Sequence, residues 1–413
     1  MTMTDMHDGH VDIAKLGDTP RIKIYSALVL LTLTALAFTA FDFVPSVPFI
    51  GHVVGPKHRA SSRPTEHFRM FWIGSDPSQD KSDFLYYRDI GKALSQLTPV
   101  LKVCKTIDNC FRRCDEKRHS LVMALPHKLT IQLSSLTDRE PKMLEAIRRI
   151  KANMTSSDNS CKFRRIILVM FVNKVYRADL HERLTWFKNI SDGSARLLQG
   201  TCILRSLAFT WSPRADEWSK QYNIPIKFIP FGVNHTKFDV RERYVKLRNC
   251  DVFLHWDTSP KKYRLRKELT ERLTSDDFAH QTNLTVLAPD WQDEESYLDS
   301  LASCKYHFST IGMPGRFDLL GTRYYEVLSS GKAVLFALAE TPRDVAVYES
   351  SGLVDGLNCI TFSDVDDAVQ KLLLYKELHN KTAELASSAS EWATHQSWSK
   401  RALDILDALR ELD

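Results

Sequence analysis

The hydrophobic pattern changes character three times along the chain. Residues 24–41, IYSALVLLTLTALAFTAF, run without a charge, and residues 42–65 carry four prolines and no lasting period. From residue 66 short apolar runs alternate with longer amphipathic stretches. The runs HFRMFWIG (67–74), SLVMALP (120–126), RRIILVMFV (164–172), SLAFTWS (206–212) and IKFIPFG (226–232) have the length and residue types of buried strands, while REPKMLEAIRRIKANM (139–154) repeats its apolar positions at helical spacing. The rhythm restarts after residue 240. DVFLHW (251–256), LTVLAPD (284–290), KYHFST (305–310), KAVLFALA (332–339) and NCITFSD (358–364) are expected strands, with helices at YRLRKELTERL, EESYLDSLASC, TRYYEVLSS and VDDAVQKLLLYKELHN. The DVDD at 364–367 reads as a helix cap. A last helical stretch, 381–411, is one more than a second sheet needs. Strands buried on both faces and alternating with helices predict parallel sheets covered on each side, here two in succession.

The charge-free run is 18 residues long, about the minimum for a helix that spans a hydrocarbon core. Arg21 and Lys23 abut it on the N-terminal side, which predicts a cytosolic tail (1–23), a signal anchor (24–41) and a stem (42–65). The alternative is a cleaved signal peptide, because Ala35-Leu36-Ala37 is a small-x-small site; its polar leader of 23 residues would be longer than usual. The formal charge of +5 on 413 residues is mildly basic and implies no nucleic-acid partner.

Two further features bear on that orientation. Five N-x-S/T sequons, at Asn153, Asn189, Asn234, Asn283 and Asn380, and all eight cysteines lie beyond the expected anchor, as in a chain that faces a secretory lumen. Cys104, Cys110 and Cys114 crowd a charged segment. A disulfide-knotted surface loop is the expectation, with zinc as the alternative, for which the spacing lacks a C-x2-C pair and His119 is a poor fourth ligand.

Open parallel sheets bind ligands beyond the carboxyl ends of their strands, so candidate chemistry is sought there. DVFLHWDTSPKKYRLRKELTERL ends a strand with Asp257, Thr258 and Ser259 and opens a helix with Lys261, Lys262, Arg264 and Arg266. Such a start suits a phosphate, although a capped helix with a solvated basic face has the same composition. The loop TIGMPGRFDLLG follows another strand, and its glycines at 312, 315 and 321 allow close backbone approach. The helix after it carries Arg323 and Glu326 one turn apart on one face, as a surface ion pair or as ligand-holding groups. In the first half, WIGSDPS places Gly74, Ser75 and Asp76 at a strand end, as a catalytic base or acceptor loop, or as a capped turn. Asp179 and His181 are read as a helix surface, with a place near the cleft as the alternative. The chain has no G-x-G-x-x-G after its first strand, which disfavours a nicotinamide-dependent oxidoreductase.

In this order PFGVNHTKFD, CDVFLHWDTSPKKYRLRKEL, YLDSLASCKYHFSTIG, TRYYEVLSSGKAVLFA and GLVDGLNCITFSDVDDAVQKL resemble the donor-binding half of GT-B glycosyltransferases. The group 1 transferases related to CgeB proteins are the first likeness and the exostosin type the second. The resemblance covers about 225–380; over 66–225 only the α/β rhythm is recognised. It implies an α/β fold of two Rossmann-like domains behind the membrane helix: an acceptor domain at 66–235, a donor-binding domain at 236–380, and a helix at 381–413 that crosses back to the first. The family's R-x-x-E helix and trailing glycine map onto Arg323, Glu326 and Gly331, flanked by Thr322 and Tyr325. Gly312, Lys262 and Arg264 would join them at the donor, and the family's E-x7-E pattern points to Asp318 as the acid facing the transferred sugar. The implied activity is metal-independent glycosyl transfer in the Golgi or endoplasmic reticulum by a single-pass type II membrane protein. No cofactor is implied; the nucleotide sugar is a substrate, and a glycan or glycoprotein is the acceptor. A fucosyltransferase-like enzyme and a catalytically silent lumenal binding protein are the alternatives. Silent members would be expected to lose the charged pair that this chain retains.

Overall fold

The computed structural model describes residues 70–73, 85–97, 101–104, 106–114, 119–125, 139–156, 162–172, 177–243, 250–254, 264–289, 293–310 and 320–412. The expected tail, anchor and stem lie outside them. Among the described residues no helix is long and apolar enough to cross a membrane.

The first sheet contains β1 (Met70–Ile73), β2 (Leu101–Cys104), β3 (His119–Ala124), β4 (Phe163–Val172), β5 (Ile203–Thr210) and β6 (Ile226–Phe228), in the order β2-β1-β3-β4-β5-β6. All its pairings are parallel, with Met70 opposite both Leu101 and Ser120. The helices between its strands are α1 (Leu85–Ser95), α2 (Ile107–Arg113), α3 (Arg139–Thr155), α4 (Arg177–Leu198) and α5 (Ala215–Tyr222). After β6 the chain passes through α6 (His235–Phe238) to the second sheet: β7 (Cys250–Phe253), β8 (Val286–Leu287), β9 (Cys304–Thr310), β10 (Val334–Leu338) and β11 (Ile360–Phe362). Its order is β11-β10-β9-β7-β8, again parallel throughout. Its helices are α7 (Arg264–Leu273), α8 (Asp276–Thr282), α9 (Glu294–Ser303), α10 (Thr322–Ser329), α11 (Pro342–Ser350) and α12 (Val365–Glu377), followed by α13 (His379–Thr394) and α14 (Trp398–Arg410).

Three expectations change against this frame. The strand β2 has no apolar run to announce it, because LKVC is a short edge strand with Lys102 between its buried ends, the ammonium 5.6 Å from the Phe71 ring. The single helix expected over 381–411 is two. The chain turns at His395–Ser397, where the Gln396 carbonyl accepts from the Val233 N–H at 2.8 Å and the Ser397 hydroxyl caps α14 by accepting from the Lys400 N–H at 3.1 Å. The helices α8 and α11 were not anticipated; α11 is opened by a Thr341–Asp344 capping box with Pro342 at its start. The DVDD segment does cap a helix, the Asp364 side chain accepting from the Asp367 N–H at 2.9 Å.

One core covers the outer face of each sheet and a third fills the space between them. The middle core is aromatic. Trp211 at the end of β5 stacks on Phe231 (5.1 Å between centroids), Phe231 meets Tyr325 and Trp398 edge-on (6.4 Å each), and Tyr325 stacks on Trp392 (5.6 Å). Helix α14 returns across this seam to pack on α1. Beyond its end the Leu412 carbonyl accepts from the Arg165 guanidinium at 2.5 Å, and Glu411 pairs with Lys227 at 2.9 Å.

Disulfides join Cys104 to Cys110 and Cys250 to Cys304, and Cys114 is also disulfide-bonded. No group of metal-binding side chains occurs among the described residues. Cys250 and Cys304 are register partners at the first positions of β7 and β9, closing a loop of 54 residues. Opening it frees that loop in the unfolded chain, so a Cys250→Ser, Cys304→Ser double variant is expected to lose about 2–4 kcal/mol. The measurement is the urea midpoint, read together with the denaturant slope, which is expected to rise because the freed unfolded chain exposes more surface.

Candidate functional site

Strand order locates the place to look. In the second sheet β7 is flanked by β8 on one side and β9 on the other, so the chain reverses its direction of travel between β7 and β9. Helices cross to opposite faces there, and a crevice opens beyond the carboxyl ends of those two strands. Phe253 and Thr310 end these strands. The helix α10 starts just past the segment that follows β9. Gly321 caps it without a side-chain acceptor, which leaves first-turn N–H groups to other partners at the positive end of the helix dipole.

Four side chains meet on this side of α10. Thr322, Arg323 and Glu326 share a face because positions three and four apart on a helix are neighbours, and all three are partly exposed. The Arg323 guanidinium lies 5.6 Å from the ring centre of Tyr297, which comes from the first turns of α9. The Tyr297 and Thr322 hydroxyls face the Glu326 carboxyl. Burial pushes the Glu326 carboxyl above the usual carboxylate range, against the opposing pull of Arg323, Tyr297, Thr322 and Lys237. Burial likewise holds the Tyr297 phenol well above its ordinary range, so its hydroxyl keeps its proton and has it to offer to an acceptor. Lys237 comes from α6 and pairs with Glu294 at 2.6 Å. A partly dehydrated carboxylate with two cations in reach can accept hydroxyls and tolerate an anion beside it.

The other expected site residues divide. The Arg264 side chain is 87% exposed and pairs with Glu268 at 2.6 Å, one turn along the solvent face of α7. Arg266, two residues on, turns inward and donates to the Thr310 hydroxyl at 2.6 Å, at the end of β9. Tyr325 lies apart from this cluster. It is 1% exposed, stacked in the seam between the sheets, and burial raises its phenol to about 12. Gly331 stands at the far end of α10 from Thr322. It takes the left-handed φ of +69° that ends the helix, and a Cβ there would lie 2.7 Å from the Arg241 side chain. Asp76, Lys262, Gly312 and Asp318 lie outside the described residues, as does Asp179 in its side chain; His181 is on the surface, as expected.

No family model and no curated protein matches this chain. Solved structures do resemble it. A glycosyltransferase from Rickettsia africae is similar over 84% of this chain and 98% of its own at 9% identity, TM-score 0.49. Anabaena HepE in complex with UDP is similar over 83% of this chain and 100% of its own at 14% identity, TM-score 0.45. T4 phage BGT with its UDP-glucose substrate is similar over 83% and 98% at 9% identity, TM-score 0.39. At such values these likenesses assign no residue and no activity to this chain.

Sequence reasoning missed Tyr297 and Lys237. Tyr297 sits in an ordinary amphipathic pattern, EESYLDSL, and Lys237 in what reads as a linker; neither carries a local signal. A groove between α2 and α3, lined by Thr106, Asp108, Arg148, Arg149 and Asn153, is set apart from this cluster. Arg148 there is occupied by a solvated pair with Glu145 at 3.1 Å.

Proposed function

We propose that the protein is a glycosyltransferase that moves a sugar from a nucleotide-sugar donor to an acceptor hydroxyl on a glycan or glycoprotein. The observation that carries this reading is the convergence, at the β7/β9 crevice, of an uncapped helix start, an arginine and a half-buried carboxylate on one face of α10. Glu326 would accept the two hydroxyls of the donor ribose. Arg323 and the N–H groups opening α10 would meet the diphosphate, and Arg266 stands at the same strand end. As the sugar leaves, charge develops on the diphosphate, and preoriented cations and N–H dipoles stabilise it without reorganising. Lys262, Gly312 and Asp318 belong to the segments next to this crevice in sequence. Asp76 follows β1, which is flanked by β2 and β3 at the corresponding reversal of the first sheet, and is proposed to serve the acceptor side.

The compartment belongs to the same proposal: a single-pass type II protein anchored by residues 24–41, with both sheets in the lumen of the Golgi or endoplasmic reticulum. The disulfides support it, because such bonds persist in oxidising compartments. So does the exposure of four of the five sequon asparagines, Asn189, Asn234, Asn283 and Asn380.

A thermal-shift panel of UDP, GDP, CDP and their sugars tests the donor assignment. A ligand present at one hundred times its Kd is expected to stabilise the fold by about 2.7 kcal/mol, and ADP-ribose and NAD are expected to do nothing. If no diphosphate nucleoside raises the melting temperature, the assignment is wrong. Nucleotide binding without hydrolysis or transfer of any donor would identify a silent binding protein instead.

A further inference from the structure

The Arg323/Glu326 pair rests on a neighbour that belongs to neither its helix nor its sequence neighbourhood. Tyr297 touches both members: its ring lies beneath the Arg323 guanidinium at 5.6 Å, and its hydroxyl faces the Glu326 carboxyl. It is 9% exposed, and its ring contacts Phe253 of β7 at 6.2 Å. Phe253 in turn contacts the His307 ring of β9 at 4.9 Å, so Tyr297 is footed on the two strands that bound the crevice.

The helix carrying Tyr297 is itself held firmly. Asp293 caps α9, accepting from the Ser296 N–H at 2.8 Å. Arg243 clamps the same helix through Asp299 and Glu295, both at 2.7 Å, and Lys237 pins Glu294 at its start. All three ionic contacts come from the stretch that links the two sheets. The position of the Tyr297 hydroxyl is thereby tied to the inter-sheet connection, independently of α10.

We infer that Tyr297 is the positioning residue of the donor site, its ring holding Arg323 toward the phosphates while its hydroxyl occupies one side of the Glu326 carboxylate and leaves the other for a ligand diol. This rests on the donor reading above. The chemistry favours it because each carboxylate oxygen has two acceptor directions. A fixed donor on one side selects one rotamer of the carboxylate, so a bound diol meets preoriented oxygens rather than a mobile group. The ring face is the negative side of the aromatic quadrupole and holds a guanidinium in place without neutralising it, as a carboxylate partner would.

The groups facing Glu326 are Arg323 and Thr322 on its own helix, Tyr297 from α9 and Lys237 from α6. Of these the Tyr297 hydroxyl can be removed while keeping shape and charge. In the full chain, Tyr297→Phe is expected to weaken the nucleoside diphosphates UDP, GDP and CDP, whichever binds, about tenfold. It also displaces the acid limb of binding to higher pH, because a carboxylate that loses a donor holds its proton more tightly. Tyr297→Ala, which removes the ring as well, weakens binding further. A packing role alone would leave the acid limb where it is. Placing 3,5-difluorotyrosine at 297 tests the same point with the ring and hydroxyl retained: the stronger donor is expected to displace the limb to lower pH, and this version serves if Tyr297→Phe fails to fold. Wild-type affinity and an unmoved acid limb in either protein overturn the inference, provided Glu326→Gln loses binding. If Glu326→Gln binds normally, the donor reading itself has failed.

Discussion

Replacing Glu326 by glutamine is expected to separate binding from stability. Nucleotide binding falls roughly 10- to 100-fold, the range for losing hydrogen bonds to a charged acceptor. The ligand-free protein melts no lower than the wild type. The physical reason is the raised carboxyl, for which burial is the largest cause and outweighs Arg323 and the other favourable neighbours. Between the unfolded and folded pKa values the native state holds this proton more tightly than the unfolded chain does. Wild-type stability therefore declines as pH rises through that window, and the whole penalty is present above the folded value. Glutamine has no charge to desolvate and escapes it. The check is a pair of pH-melting series with and without the nucleotide that binds the wild type. A variant that melts well below wild type at neutral pH would mean that the carboxylate is structural, and unimpaired binding would remove Glu326 from the site.

The second large effect lies at the crossing between the sheets. Gly232→Ala is expected to destabilise the fold by about 3 kcal/mol, the upper part of the range for overpacking. A Cβ at Gly232 would lie 2.6 Å from Trp398 Cδ2 and 2.8 Å from the Trp398 Cα, and backbone cannot swing aside. The flanking bonds forbid retreat as well. Phe231 accepts from the Arg401 Nε at 3.1 Å, and Val233 donates to Gln396 at 2.8 Å. Gly331→Ala provides the contrast. It meets a left-handed φ, but its steric partner is the flexible Arg241 side chain, so about 1 kcal/mol is expected. Chemical denaturation of the two variants side by side measures both. Equal stability of Gly232→Ala and wild type would show that α14 can shift away from the crossing.

Most strands were legible in the sequence because a strand covered on both faces reads as an unbroken apolar run, as RRIILVMFV does. LKVC at the sheet edge is covered less and gives no such run. Helix α10 was legible for the same kind of reason, and Arg323 and Glu326 were rightly placed on one face. Tyr325 was not, although successive helical residues turn by about 100°; the turn that brings Arg323 and Glu326 to the crevice sends Tyr324 and Tyr325 into the core. Arg264 and Arg266 differ by two positions on α7 and so point to different sides, a distinction that composition cannot make. Tyr297 and Lys237 arrive through tertiary folding alone. Their contact with α10 depends on where α9 and the inter-sheet stretch come to rest, and no local pattern encodes that.

The aromatic seam has a consequence for how this molecule moves. Trp211, Phe231, Tyr325 and Trp392 form a continuous aromatic ladder from the end of β5 in one sheet to the helices beneath the other, and α14 is laced across it. A hinge needs residues that can change their backbone angles while their neighbours slide. Here the crossing chain is held by ring stacking, by a glycine with no free volume and by bonds to its carbonyl and amide. The crossing chain is therefore expected to resist hinge bending between the sheets, and a nucleotide entering the β7/β9 crevice to leave their relative tilt unchanged.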